Sequence, residues 1–292
     1  MLRLLLRSRK APAYRQRLGE RIALGLPRFK QGGIWLHTVS VGESIAAAPF
    51  VRALQAAYPD LPITLTCMTP KGSERIQAMF GDQVQHCYMP YDLPCMARRF
   101  LRRVRPQLAI LMETGLWPNH IHQCHRMSIP VMLANGRLSE RSARGYGRFP
   151  KLVAPMLQQL QALAVQTEIE AQRFIELGAL AERVHVTGSI KFDMQVDAQL
   201  AQQADHFKTD WQPANRPVWI AASTHIGEDE QILHAHARIL QHEPNTLLIL
   251  VPRHPERFDA VHQLCESTAL KTVRRSANAP VQAHHQVFLG DS

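Results

Sequence analysis

The sequence predicts an α/β protein whose strands form parallel sheets between helical layers, and three observations predict it. Apolar runs of strand length alternate with amphipathic helical stretches along most of the chain. The strands are apolar nearly throughout instead of every second residue, so both of their faces are covered, as in parallel sheets. The alternation pauses in a polar stretch at 194–216 and then restarts, which predicts two Rossmann-like lobes facing a cleft.

In chain order, GGIWLHTVSV is a buried strand between Gly32-Gly33 and Gly42, and ESIAAAPFVRALQAAYP is one helix with Pro59 beyond its end. PITLTCMT (62–69), VQHCYMPYD, QLAILMET (107–114) and IPVMLANGRL (129–138) are the next strands. The helices PKGSERIQAMFG, LPCMARRFLRRVRP and PNHIHQCHRM lie between them. SERSARGYGRFPKLVAPMLQQL is a polar and basic segment with no element assigned. ALAVQTEIEAQRFIELGA supplies a strand and a helix, and VHVTGSIKFD a last strand and loop. After the pause come the strands PVWIAAST, NTLLILVPRHP, LKTVRR and HHQVFLG, with helices at EDEQILHAHARILQHEP and ERFDAVHQLCEST. The expected divisions are a basic segment 1–30, a first lobe 31–193, a linker 194–216 and a second lobe 217–292. The second lobe is about half of a doubly wound domain of ~100–150 residues, so it is expected to be truncated.

With 292 residues and 46% hydrophobic content, the chain has material for a packed body of two domains. It carries 34 Lys+Arg against 24 Asp+Glu, a net charge of +10, with nine cations and one acid in residues 1–30. Such patches attract phosphate or anionic lipid, although Arg98–Arg105 by itself reads rather as the solvated face of a helix. The start MLRLLLRSRK suits either a membrane surface or a frayed terminus. No run of 18 apolar residues spans a bilayer. Five cysteines without a C-x-x-C pair point to free thiols. His120, His122 and His125 lack metal-ligand spacing, and neither G-x-G-x-x-G nor a P-loop occurs, so no metal or dinucleotide is indicated.

The suspicious polar residues lie at the carboxyl ends of strands, where α/β sheets bind ligands. In SVGE, Ser40 and Glu43 fit a capping box with Glu43 turned back on the Ser40 amide, or Glu43 is a base at a strand tip. Glu113 closes a buried strand, which is costly unless the carboxylate is salt-bridged to an arginine or used in chemistry. Lys191 in GSIKFD is a turn lysine, or a cation that neutralises developing negative charge. In VPRHPERF, Pro252 stiffens the backbone before Arg253, whose fork suits a phosphate or carboxylate. Ser223, Thr224 and His225 are N-capping groups or phosphate donors.

Together HTVSVGE, METGLWPN, GSIKFD, STHIGE and VPRHPERF resemble the signature stretches of the 3-deoxy-D-manno-octulosonic acid (Kdo) transferases, and RKAPAYRQRLGER and MTPKGSER also match. The resemblance runs in order over essentially the whole chain. It implies an inverting glycosyltransferase of the GT-B type, acting in lipopolysaccharide biosynthesis without a cofactor or a catalytic metal. The donor it implies is CMP-Kdo, and the acceptor is a tetra-acylated lipid A precursor at the cytoplasmic face of the inner membrane. The other partner is the anionic membrane surface, with no nucleic acid. By the same resemblance Glu43 is the general base, Glu113 and Lys191 stabilise the transition state, and Pro252 and Arg253 belong to the CMP site. Against the family pattern, the N-terminal anchor and the later nucleotide-binding stretches are absent, so an inactive remnant is one alternative. Another GT-B sugar-nucleotide transferase is the other.

Overall fold

The computed structural model describes residues 12–193, 198–211 and 216–292. The chain divides into two compact units, Met1–Gln195 and Val196–Ser292. The first holds strands β1 (Ile34–His37), β2 (Ile63–Cys67), β3 (Gln85–Tyr88), β4 (Leu108–Met112), β5 (Val131–Gly136), β6 (Ala162–Val165) and β7 (Val184–Val186). They pair in parallel in the order β3-β2-β1-β4-β5-β6-β7. The sheet grows in one direction from β1 to β3 and in the other from β4 onward. Its topological switch point therefore lies between β1 and β4, where open α/β sheets leave a crevice at the carboxyl ends.

The period of two along each strand divides the core. Ile34, Leu36, Ile110 and Met112 face one helical layer with Leu65, Ile76 and Phe80. Trp35, Ala109 and Leu111 face the other layer with Phe100, Leu157 and Phe174. Gly33 precedes β1 where any Cβ would collide with the Pro62 carbonyl oxygen, so only glycine lets β1 and β2 pair this closely.

The helices of this unit are α1 (Leu18–Arg21), α2 (Val41–Ala46), α3 (Ala48–Ala57), α4 (Pro70–Phe80), α5 (Pro94–Val104), α6 (Pro118–Arg126), α7 (Glu140–Gly147), α8 (Pro150–Gln158) and α9 (Glu168–Glu176). The single helix expected after β1 is broken into α2 and α3 at Ala47. Pro49 causes the break, since it lacks an N–H and its ring clashes with the carbonyl one turn back. The unassigned polar segment forms α7 and α8, so arginine-rich composition hid two short helices. On α5, Ala97, Phe100, Leu101 and Val104 are buried, while Arg98, Arg99, Arg102 and Arg103 are exposed, which is the solvated-face reading of that cluster.

Part of the expected basic segment, residues 1–11, lies outside the described residues. Its described remainder folds onto the sheet: Glu20, Arg21 and Ala23 are buried, and Leu26 and Phe29 pack on the core. Within the expected linker, 194–197 and 212–215 lie outside the described residues, and the intervening part is helix α10 (Ala198–Trp211).

In the second unit, β8 (Val218–Thr224), β9 (Leu247–Pro252), β10 (Thr272–Arg274) and β11 (Val287–Leu289) form a parallel sheet in the order β10-β11-β9-β8. Leu248, Leu250, Val287 and Leu289 pack with Leu233 of α11 (Glu228–His242) and with Val261 and Cys265 of α12 (Phe258–Ser267).

Candidate active site

α2 starts where the apolar run of β1 ends. Ser40, in extended backbone, is its N-cap and accepts the Glu43 N–H on Oγ at 3.3 Å. The Glu43 carboxylate folds back over this turn. Oε2 accepts the Val39 N–H at 2.7 Å, and Oε1 accepts the Ser40 hydroxyl at 3.1 Å. The expected capping box forms, since the Ser40 amide also interacts with the carboxylate, and the tightest bond is added by the Val39 amide one residue earlier. Burial raises the Glu43 pKa above the ordinary carboxylate value. The Val39 amide opposes that rise, and the negative charge of Glu113 adds to it. A carboxyl group of raised basicity, fixed by two hydrogen bonds, has the properties of a general base.

Glu113 follows β4 directly, and β4 is the hydrogen-bonded neighbour of β1. Its backbone is left-handed (φ 56°). Its N–H donates to the Ala134 carbonyl at 3.0 Å, and two residues on the Gly115 N–H closes a turn on the Met112 carbonyl at 3.1 Å. This conformation costs a non-glycine residue about 1–3 kcal/mol and tends to cluster at functional sites. The Glu113 side chain is half-buried and has no ion-pair partner among the described residues, so the alternative of a salt bridge to a nearby arginine is not realised. Glu43 and Glu113 therefore sit at the tips of adjacent strands, at the switch point, close enough to feel each other's charge.

Lys191 is exposed on the turn Ile190–Asp193, which follows the edge strand β7. The Ile190 N–H donates to Asn135 Oδ1 at 3.1 Å, and Asn135, at the end of β5, is itself left-handed (φ 54°). Lys191 is thereby held to the same carboxyl edge of the sheet as the two glutamates. Pro252 and Arg253 belong to the second unit. Pro252 is buried at the end of β9. The Arg253 N–H donates to the Thr224 carbonyl at 3.0 Å while its side chain is exposed.

At the tip of β8 the reading of Thr224 as a phosphate donor is corrected. Its hydroxyl is buried and donates to Asp229 Oδ1 at 2.6 Å, and Asp229 is in turn paired with Arg257. Gly227, without a side-chain bond, is the N-cap of α11, and Ser223 is exposed in left-handed backbone (φ 62°).

Two buried histidines of the first unit, His37 and His120, were not singled out from the sequence as paired groups. His37 Nδ1 lies 2.9 Å from Thr66 Oγ1, and its pKa is lowered to about 3 by burial and by the neighbouring His120. His120 is buried with Nδ1 at 2.7 Å from Asp92 Oδ1, so it is more than an ordinary helix histidine. Burial works to raise the Asp92 pKa, but His120 and the amides of Asn119 and His120 bring it below the ordinary value. His37 ends the fully buried run of β1, but its partner Thr66 comes from another strand. Among the described residues no group of three or more His, Cys, Asp or Glu side chains is placed to hold a metal, and no helix is long and apolar enough to cross a membrane.

Residues 15–194 match a family model described as 3-deoxy-D-manno-octulosonic-acid transferase (kdotransferase). The chain is 47% identical to a 3-deoxy-D-manno-octulosonic acid transferase of Haemophilus influenzae, over 97% of this chain and 66% of that protein. It is 36% identical to the enzyme of the same name from Bordetella pertussis, over 97% of this chain and 65% of that one. It spans about two thirds of the length of these curated relatives. Among solved structures, a UDP-GlcNAc 2-epimerase from Neisseria meningitidis superposes with a TM-score of 0.59 at 14% identity, covering 89% of this chain and 72% of that one, a likeness of fold. The α/β fold is of the GT-B type, and the chain belongs to the 3-deoxy-D-manno-octulosonic-acid transferase family.

Proposed function

We propose that this chain carries out inverting transfer of Kdo from CMP-Kdo to a tetra-acylated lipid A precursor, with Glu43 as the general base. Glu43 takes the proton of the acceptor hydroxyl as that oxygen bonds to the anomeric carbon of Kdo. The bond from that carbon to the CMP phosphate breaks, and CMP leaves with the electron pair. Glu113 and Lys191 stabilise the charge that develops, and Pro252 and Arg253 hold the nucleotide. In this reading 31–193 is the acceptor lobe, 217–292 the donor lobe, 194–216 the linker and 1–30 a membrane-proximal segment. The observation that carries it is the pair of carboxylates at the β1–β4 switch point, one of them raised in pKa by burial and by the other. Glu43→Gln keeps the turn's shape and removes the base.

The site is proposed to work at the cytoplasmic face of the inner membrane. An apolar groove of about 380 Å³ supports contact with anionic lipid; it is lined by Pro118, Tyr146, Phe149, Leu152 and Met156. Phe149 and Leu152 are 64% and 57% exposed. Arg137, Arg141, Arg144, Arg148 and Lys151 are exposed along the same segment, against the single acid Glu140. The test is a transfer assay with competing nucleotides. CMP competing with the donor, with UDP inert, supports the reading; competition by UDP alone overturns it.

A further inference from the structure

Two stretches that resemble the family, RKAPAYRQRLGER and MTPKGSER, have no role in the proposed reaction, and the described part of the first, residues 12–21, packs on the second. Arg17 donates from Nε to Glu20 Oε1 at 2.7 Å and from Nη1 to Ser73 Oγ, in the first turn of α4, at 2.9 Å. Glu20 Oε2 accepts the Tyr88 N–H at 2.8 Å, so this one carboxylate is already committed. Arg21 is different. It is 0% exposed, and its Nε, Nη1 and Nη2 have no hydrogen-bond acceptor among the described residues. Its guanidinium lies 3.9 Å from the centroid of the Tyr88 ring, and that of Arg17 lies 4.6 Å from the same ring.

Stacking on an aromatic face offsets part of the cost of burying a guanidinium, but it satisfies none of its five N–H groups. A buried cation without acceptors is expensive to keep. The surroundings add positive potential. The first turn of α4 has no acidic residue and carries the exposed Lys71. Helix N-termini favour anions. Cys67, next to Gly72 of that turn, feels the charge of both Arg21 and Arg17. Two arginines beside a helix N-terminus that carries Lys71 thus share one committed carboxylate.

We propose that Arg21, Arg17 and the Lys71-bearing N-terminus of α4 form an anion subsite for a phosphate monoester borne on a sugar. A planar guanidinium fork matches phosphate oxygens in pairs, which suits this ligand class. The subsite lies at the end of β3, two strands from β1 on the same carboxyl edge, about 10 Å across at the usual strand spacing. That span is short enough for one sugar substrate to reach both Glu43 and the subsite, which it enters on the side of the accessible Arg17 and Lys71 because Arg21 itself is 0% exposed. The anion chemistry rests on the geometry alone; the link to a reacting sugar rests on the proposed transfer.

The test is calorimetric titration of the intact chain with inorganic phosphate and with glucosamine 1-phosphate, at constant ionic strength set with chloride. Wild type is expected to bind both, the sugar phosphate more tightly. Arg21→Met, which keeps the buried volume apolar, is expected to weaken both by at least about tenfold. The surface change Lys71→Ala is expected to weaken them about fivefold and to leave the thermal transition in place. No binding above the chloride control, equal binding in wild type and both variants, or equal affinity for the two probes overturns the subsite. Sugar-phosphate binding in a chain that transfers no Kdo leaves the subsite standing and removes only the proposed reaction.

Discussion

The tips of β1 and β4 in the first unit differ from the tips of β8 and β9 in the second in how their polar groups are employed. At β8 and β9 the polar groups are spent on each other. Thr224, Asp229 and Arg257 close a buried network, and Arg257 also donates to the Thr224 carbonyl at 2.7 Å. Arg253, Ser223 and the rings of His225 and His254, 5.6 Å apart, are among the groups left exposed. At β1 and β4 charge is left over: Glu43 is held but raised in pKa, and Glu113 is held in strained backbone with no ion-pair partner among the described residues. A satisfied strand tip builds a scaffold, whereas a tip with unspent charge is set up for chemistry.

The comparison can be broken by substitution, and the largest effect is expected at Glu43. Glu43→Gln should lower the rate of Kdo transfer about 10³-fold, within the usual range for losing a general base. Its melting temperature at pH 7.5 should hold or rise. The sign follows from the raised pKa: ionising a carboxyl group whose folded pKa is raised costs stability as pH climbs from its unfolded value through its folded one, and glutamine escapes that cost. A melting temperature that falls by many degrees would place Glu43 among the structural caps.

In the second unit the expected effect is on stability. Asp229→Asn leaves the half-buried Arg257 charge without its carboxylate, and urea unfolding should show a loss of about 3 kcal/mol, the low end for breaking a buried pair. A smaller effect belongs to Arg253→Ala, which should raise the KM for the donor about tenfold with little change in kcat, because an exposed arginine on a phosphate contributes uniform binding. Smaller still is a pH effect at His37. Its depressed pKa contributes stability that is whole above about 6.5 and is lost as pH falls toward 3. His37→Gln should flatten that acid limb in melting curves between pH 6.5 and 4.

Much of this was legible in the sequence. Each strand announced itself by a short apolar run, and Glu43 and Glu113 were found because a carboxylate directly after such a run is out of place. The break at Pro49 was legible too, but the apolar stripe running across it argued for a single helix. The helices α7 and α8 were hidden because arginines, glycines and Pro155 dilute the helical period. Pairings between distant residues could not be read from one chain in order. Thr66 beneath His37, Asp92 against His120 and Tyr88 under Arg21 come together only when the parallel sheet sets its register.

Whether the carboxylates at the switch point act as a coupled pair is read from the pH–rate profile of Glu113→Gln. Wild-type transfer should rise with pH as Glu43 loses its proton. Because the charge of Glu113 raises the pKa of Glu43, removing it should move that acidic limb to lower pH, whatever it does to the maximal rate. An acidic limb that stays in place in Glu113→Gln, or moves to higher pH, would contradict the account.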